Sequence, residues 1–469
     1  MQSVKCLACS RVTETRALDP VCGSCGSAVL FLDSEEPEVT RGELDGLPPG
    51  VWRYAKFLPA LDPASIVSLG EGGTPLLEAH RLGDELGLRN LLIKDESRNP
   101  TGSFLDRGST VLLSLAKQHR IKECTCLTTG NLGASLAAYC AKAGVGAHIR
   151  IHPSTDRGKL YQMLAYGADV EAPTPRRPWG HAGALSVTAA NPYLVEGEKT
   201  TGFEIVQDLG WKAPDVVVVP VGTGGHLSTI WRSISLLRRL GLAEASECRL
   251  LGVQVRGGPP GRGRRGAEPG LLLTELEESV PYFTQEASRA VDESGGSAIE
   301  TTAAQAIEST RLLAASEGIF AEPSSASVVA AVRDAVQRGL VRASETVVCV
   351  ITGSGLKDTK AVSRLARETR RSGVGGAYTL SSSKIGDTKL ALLRLLKEKP
   401  NHGYALWLAI RAERRMSTAS IYQHLSELEG LSMVRRAGTK VSKGRERLVY
   451  ELTRRGADFL RITSSLEEQ

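Results

Sequence analysis

The sequence predicts an α/β body with a mostly parallel sheet, flanked by two smaller domains. Three observations carry this. Short, continuous apolar runs alternate with helical patterns through the middle of the chain. Two CxxC pairs stand near the N-terminus. A set of amphipathic helices followed by two short strands closes the chain. At 469 residues the chain is long enough for more than one domain, at ~150 residues each. Its 41% hydrophobic and 23% charged residues are those of a soluble globular protein and not a disordered one. No apolar run approaches the ~20 residues of a membrane span. The first residues, MQSVKCL, lack the apolar core of a secretion signal. The expected setting is cytoplasmic, with no membrane partner.

Charge divides the chain. Residues 377–469 hold 17 Lys+Arg against 10 Asp+Glu, a net +7, whereas the remainder holds 41 against 42. A neutral body with a basic end points to a polyanion partner for that end alone.

The first element is a small metal ribbon, residues 1–35. Cys6 and Cys9 form one CxxC pair, and Cys22 and Cys25 form another after twelve residues. Each pair fits a tight turn, helped by Gly23 and Gly26, that offers two thiolates to one tetrahedral metal. Four thiolates leave no open coordination position, so the expected ion is a structural zinc. Reduced, buried thiols are expected at Cys124, Cys126, Cys140, Cys248 and Cys349.

The body spans 45–370. Strands are expected at 91–93, 124–128, 147–151, 216–220 and 347–351. Helices are expected at 109–119, 134–143, 159–166 and 227–240, the second ended by Gly144. Strand-end loops of such a fold carry the site. Three stand out. TTGNLG, from Thr128 to Gly133, lies between a strand and a helix. PVGTGGHL, from Pro220 to Leu227, follows the valine-rich strand, and its glycines let backbone N–H groups close round a phosphate at a helix start. VITGSGLKD, from Val350 to Asp358, closes the set. Against these readings stand plainer ones: a capping loop for the first, and a solvated loop for the basic insert from Gly257 to Gly266.

The organising stretch is KDESRNPTGSFLDRG, from Lys94 to Gly108. It resembles the segment K-D-E-x-x-N-P-T-G-S-F-K-D-R-G of threonine synthases, which are pyridoxal-phosphate (PLP) enzymes. WRY from Trp52, EGGTPL from Glu71, the three loops and GIFAEPSSA from Gly318 match the same family in order. The run NPYLVEGEKT from Asn191 also matches. The resemblance implies a two-lobed body of PLP fold type II, tryptophan synthase β-like. It implies cofactor contacts from Phe104, Asn131, Gly222, Thr223, Gly224, Gly225, His226 and Thr352. It implies ligand contacts from Thr128, Thr129, Ser154 and Lys159. The family's Schiff-base lysine stands where this chain has Leu105, so no catalytic residue is assigned. Leucine can neither hold the cofactor covalently nor move a proton at a substrate carbon. The acidic stretch Thr274–Glu278 also departs from the family's apolar run.

A Gly/Ser linker, 371–383, leads to a last domain, 384–469. Helices are expected at 389–397, from Tyr404 to about Arg414, and at 417–428 with Ser417 as N-cap. Strands are expected at 432–436 and 446–452, joined by a basic turn. PNHGYAL, SIYQHLSELEGL and YELTRRG resemble PadR-type regulators. That resemblance implies a winged helix-turn-helix, with Thr418, Ala419, Tyr422 and Gln423 facing DNA bases and Lys440, Lys443, Arg445 and Arg447 meeting phosphates. Both families imply a homodimer.

The leading functional expectation is therefore a transcription regulator whose body binds PLP or an amino-acid-like ligand without normal catalysis. Two alternatives remain at this stage: an active threonine synthase-like enzyme with a fused regulatory domain, and a non-catalytic partner of an active paralogue.

Overall fold

The structure is a computed structural model that describes residues 2–128, 130–152, 155–171, 183–244, 247–256, 282–359, 361, 387–411, 417–442 and 445–464. The chain divides into two compact units, Met1–Ser372 and Gly373–Gln469.

Unit 1 opens with a three-stranded antiparallel ribbon. Strand β1 (Gln2–Cys6) lies between β2 (Val12–Thr15) and β3 (Leu30–Leu32). The body then runs α1 (Arg41–Asp45), β4 (Leu76–Glu78), α2 (His80–Leu86), β5 (Asn90–Asp95), α3 (Asp106–Gln118), β6 (Glu123–Thr128), α4 (Asn131–Ala143), β7 (Gly146–Ile151), α5 (Arg157–Ala165), β8 (Asp169–Glu171), β9 (Leu185–Val187), α6 (Pro192–Glu198) and α7 (Thr200–Asp208). It continues with β10 (Val216–Pro220), α8 (Gly225–Arg239), β11 (Arg249–Arg256), α9 (Thr284–Glu293), β12 (Ser297–Thr302), α10 (Ala303–Glu317), α11 (Pro323–Gln337) and β13 (Thr346–Ile351).

These strands form two sheets, as expected of a two-lobed α/β body. The larger has the order β12-β11-β10-β13-β5-β4, parallel except for the edge strand β4. The smaller has the order β8-β7-β6-β9 and is parallel throughout. Every residue of β10 is buried. Helices cover both of its faces, so its run of four valines and a proline needs no alternation. The predicted strands and helices of the body are all present; β10 has the expected bounds, and the others are longer by one to three residues at one end or both or shifted by as much. Gly144 does end α4, with φ of 69°. The functional consequence is positional. The C-terminal ends of β6, β10 and β13 and the start of α3 converge between the two sheets.

Unit 2 runs α12 (Asp387–Glu398), β14 (Asn401–His402), α13 (Gly403–Ile410), α14 (Thr418–Gly430), β15 (Val434–Ser442), β16 (Arg445–Leu452) and α15 (Arg454–Ser464). Its core joins Leu392, Leu393 and Leu396 of α12 to the Ile421, Leu425 and Leu428 stripe of α14. Ser417 caps α14, its Oγ accepting from the Ser420 N–H at 3.2 Å.

Two expectations are corrected here. The basic turn is mostly strand: β15 continues through Thr439 and Val441, whose branched side chains favour extended backbone. A bulge between Arg436 and Gly438 absorbs the irregularity, with Gly438 at φ 123°. Helix α15 was not predicted at all. The second helix of this unit ends at Ile410 with Arg411 as its C-cap, and residues 412–414, to which it was expected to run, lie outside the described ones.

Candidate functional site

The stretch from Lys94 to Gly108 joins β5 to α3 and separates two environments. Behind it lies a buried charge network. Arg107 donates from Nε to Glu96 Oε2 at 2.6 Å and from Nη2 to Glu96 Oε1 at 2.7 Å. It grips Glu204 with equal symmetry, Nη1 to Oε1 and Nη2 to Oε2, both at 2.7 Å. Lys94 donates to the Thr74 carbonyl at 2.6 Å and to Asp208 Oδ2 at 2.8 Å, and lies 2.9 Å from Glu204 Oε2. Asn99 Nδ2 adds a bond to Glu96 Oε2. Burial alone would raise both carboxyls, but Arg107 and Lys94 beside them hold Glu96 and Glu204 below the usual glutamate range. Asp106 is similarly occupied, accepting from Thr101 and Ser135.

In front of the stretch lies a cavity of about 490 Å³. Its lining includes Phe104, Leu105, Thr128, Asn131, Gly222, Thr223, Gly224, His226 and Thr352. All nine were singled out from the sequence, and the fold brings them together from four separate loops. Leu105 is the N-cap of α3, and its side chain is buried between the cavity and an apolar cluster. No lysine lines this cavity among the described residues.

The wall around Phe104 is tightly fixed. Its N–H donates to the Thr352 carbonyl at 3.1 Å, and Thr352 Oγ1 lies 2.6 Å from Ser325 Oγ. The Phe104 ring stacks on the His226 imidazole, with centroids 4.0 Å apart and planes 9° from parallel. His226 Nε2 lies 3.1 Å from Thr201 Oγ1, and its Nδ1 is buried with no partner. Burial holds the imidazole pKa down to about 3, so the ring is neutral at physiological pH.

Two helix N-termini open at the cavity. Helix α4 begins after Gly130 without a side-chain cap, and α8 begins after Gly224 without one. Gly224 has φ of 87°, and a Cβ there would fall 2.7 Å from the Phe283 carbonyl oxygen, so glycine is required. An uncapped helix start preceded by glycines is a cradle for an anion. Gly225 is the first residue of α8 and sits behind the lining. The chemistry of this donor set fits PLP: a phosphate cradle, a flat wall at Phe104, a hydroxyl at Thr352 and an amide at Asn131.

Lys159 is not in the lining. It is buried and lies 3.3 Å from Glu322 Oε2, while Asn131 Nδ2 donates to Glu322 Oε1 at 3.0 Å. Glu322, Ser324, Tyr282 and Glu198 line the cavity and were given no role from the sequence. Glu198, Glu322 and Ser324 lie in the runs from Asn191 and Gly318, but nothing in those runs shows which side chain faces inward. Thr129 and Ser154 lie outside the described residues, as do Gly257–Gly266 and Thr274–Glu278.

In the ribbon, the sulfurs of Cys6, Cys9, Cys22 and Cys25 all lie within 4.8 Å of one another. The closest pairs, Cys6–Cys25 and Cys9–Cys22, are 3.6 Å apart. Four thiols at such distances can take one tetrahedral ion.

In unit 2, Ala419, Tyr422 and Gln423 are exposed on α14, and Thr418 is half-buried. Gln423 donates to Glu427 at 3.2 Å. Lys440 is exposed on the hairpin opposite Arg447. Arg447 is half-buried, and its guanidinium lies 4.3 Å over the Tyr404 ring. Lys443 and the Arg445 side chain lie outside the described ones. No helix among the described residues is long and apolar enough to cross a membrane.

Comparison with known proteins agrees with this geometry. The family described as pyridoxal-phosphate dependent enzyme matches residues 67–353, and the transcriptional regulator PadR-like family matches residues 392–462. The threonine synthase of Methanocaldococcus jannaschii is 34% identical over 385 residues, covering 78% of this chain and 95% of its own. That of Synechocystis is 38% identical over 317 residues, covering 65% and 82%. Among solved structures, maize serine racemase has a TM-score of 0.51 at 17% identity, covering 64% of this chain and 94% of its own, which is a likeness of fold.

Proposed function

The chain belongs to the pyridoxal-phosphate dependent enzyme family and carries a PadR-like domain, and from that premise we propose a transcription regulator whose threonine synthase-like body binds its ligand without normal catalysis. One observation carries the reading: a cavity built from the cofactor loops has Leu105, and no lysine among the described residues, in its lining.

PLP, when bound, withdraws electrons from the α-carbon of an amino acid. The residues that would hold it are those of the lining. The N-termini of α8 and α4 would receive anionic groups, Phe104 would support the ring, and Thr352 and Asn131 would meet its polar edge. Thr128, at the end of β6, would join α4 in receiving a ligand carboxylate. A neutral His226 behind Phe104 would stiffen that wall without adding charge. Leu105 would exclude water from the face it covers and would accept no proton. Lys94 is committed to Glu204 and Asp208 in the buried network, and Lys159 to Glu322.

The four cysteines would hold a structural zinc that staples a ribbon too small to bury its own core. The wing and the exposed face of α14 would meet DNA, and a homodimer would match a two-fold site. The test is the affinity of the full chain for duplex DNA fragments it selects, with and without PLP and with and without O-phosphohomoserine or threonine. A ligand-dependent change of tenfold or more is expected. DNA affinity indifferent to every one of these ligands, with O-phosphohomoserine turned over, would establish the active enzyme instead.

A further inference from the structure

Glu198 is the unexplained group of the cavity. It ends α6 and borders the space shared by Gly222–Gly224 and Tyr282. The residue is 3% exposed, and its carboxyl has no hydrogen bond or ion pair among the described residues. This is unusual for a buried acid, because an unpaired polar group in an apolar setting is costly.

The charged groups around it are already matched to others. Glu196, on the same helix, pairs with Lys199, and Arg232 of α8 reaches that same carboxylate at 3.3 Å. His226 of α8 is held neutral by burial. Tyr282 keeps its phenol proton, its pKa raised by burial. His152 borders the cavity too, and Glu322 is held by Lys159 and Asn131. Among the carboxyls of the lining, Glu198 alone is left to a ligand.

We propose that Glu198 recognises an amine: the cavity takes a phosphorylated primary amine, with the phosphate at the glycine-rich start of α8 and the ammonium against the Glu198 carboxylate, whose proton leaves to solvent on binding. The proposal rests on the binding reading above and gives that cavity its ligand class. A cavity without a lysine has no covalent hold on an aldehyde, whereas a carboxyl holds an amine by charge and hydrogen bonding. Burial pushes the Glu198 pKa up to about 8, so the empty cavity carries it protonated at neutral pH. Bringing an ammonium against it makes the ionised form the favoured one, and the proton is released.

The experiment is calorimetry on the full chain without DNA, using pyridoxamine 5′-phosphate and, as the matched control, pyridoxine 5′-phosphate, in which a hydroxyl replaces the amine. Measurements in buffers of different ionisation enthalpy count the protons released. The amine is expected to bind at least about tenfold tighter at pH 7, as a charged hydrogen bond implies. It should release about one proton more than the alcohol, and its advantage should grow up to pH 8 and then level. Glu198→Gln should abolish both the extra proton and the pH dependence, bringing the amine down to about the affinity of pyridoxine 5′-phosphate. Equal affinity and equal proton counts for the two probes, or no binding of the amine at millimolar concentration, would overturn the proposal. DNA affinity that ignores a tightly bound amine would instead overturn the regulatory reading and leave Glu198 in its role.

Discussion

The two sides of the Lys94–Gly108 stretch obey different rules. Behind it, Arg107, Lys94, Glu96, Glu204 and Asp106 are buried with good partners. In front of it, Leu105 supplies no polar atom, and neither His226 Nδ1 nor the Glu198 carboxyl has a partner among the described residues. The first side is a closed scaffold, and the second lines an open cavity. The lesson concerns motifs. Most of the family-like residues of this stretch work in the scaffold. They would be kept by folding alone, because removing one partner leaves another buried and uncompensated. An intact motif is thus weak grounds for catalysis, and the residue that faces the cavity decides.

The scaffold side should give the largest effect. Arg107→Met leaves Glu96 without its paired cation and Glu204 with Lys94 alone, and should cost about 3–5 kcal/mol, read by urea unfolding. The wild type should show the matching acid dependence. Both glutamates have folded pKa values below the ordinary glutamate value of 4.5. Their stabilisation is complete above that value and is lost as pH falls through the lower folded values. A variant with unchanged stability would erase the contrast between the sides.

On the open side, Leu105→Lys should cost about 2 kcal/mol without cofactor, because an ammonium replaces a buried apolar side chain. Saturating PLP should recover most of that loss, as a rise in the thermal midpoint larger than that of the wild type. Glu198→Gln should have the opposite sign. The folded pKa of Glu198 is raised, so the wild type loses stability as pH rises from 4.5 to about 8 and is level above. The variant should lack that decline and be more stable at pH 9 by roughly 2–4 kcal/mol. The smallest effect belongs to unit 2. Lys440→Ala should weaken DNA binding alike on all sequences and lower the salt slope by about one.

Much of this was legible beforehand. The all-buried valines of β10 announced a covered parallel strand, and the glycines after it announced the cradle at α8. Ser417 and the Ile421, Leu425 and Leu428 stripe announced α14. What escaped were facts set by distant neighbours. Lys159 meets Glu322 from a remote part of the chain, which no spacing encodes. Glu198 sits in a matching run like its neighbour Glu196, yet one is paired and the other is not. That Arg447 stacks over Tyr404 is likewise set by the fold and not by spacing. The long hairpin was hidden by Gly438, which in sequence marks a turn and in the fold serves a bulge.

The central claim is that the cavity binds without a lysine. The most direct test loads the wild-type chain with PLP, reduces it with borohydride, and maps pyridoxyl groups by peptide mass spectrometry. The account predicts no modified lysine in the wild type and a modified peptide spanning residue 105 in Leu105→Lys. A stoichiometric pyridoxyl group on Lys94, Lys159 or Lys357 of the wild type would contradict it.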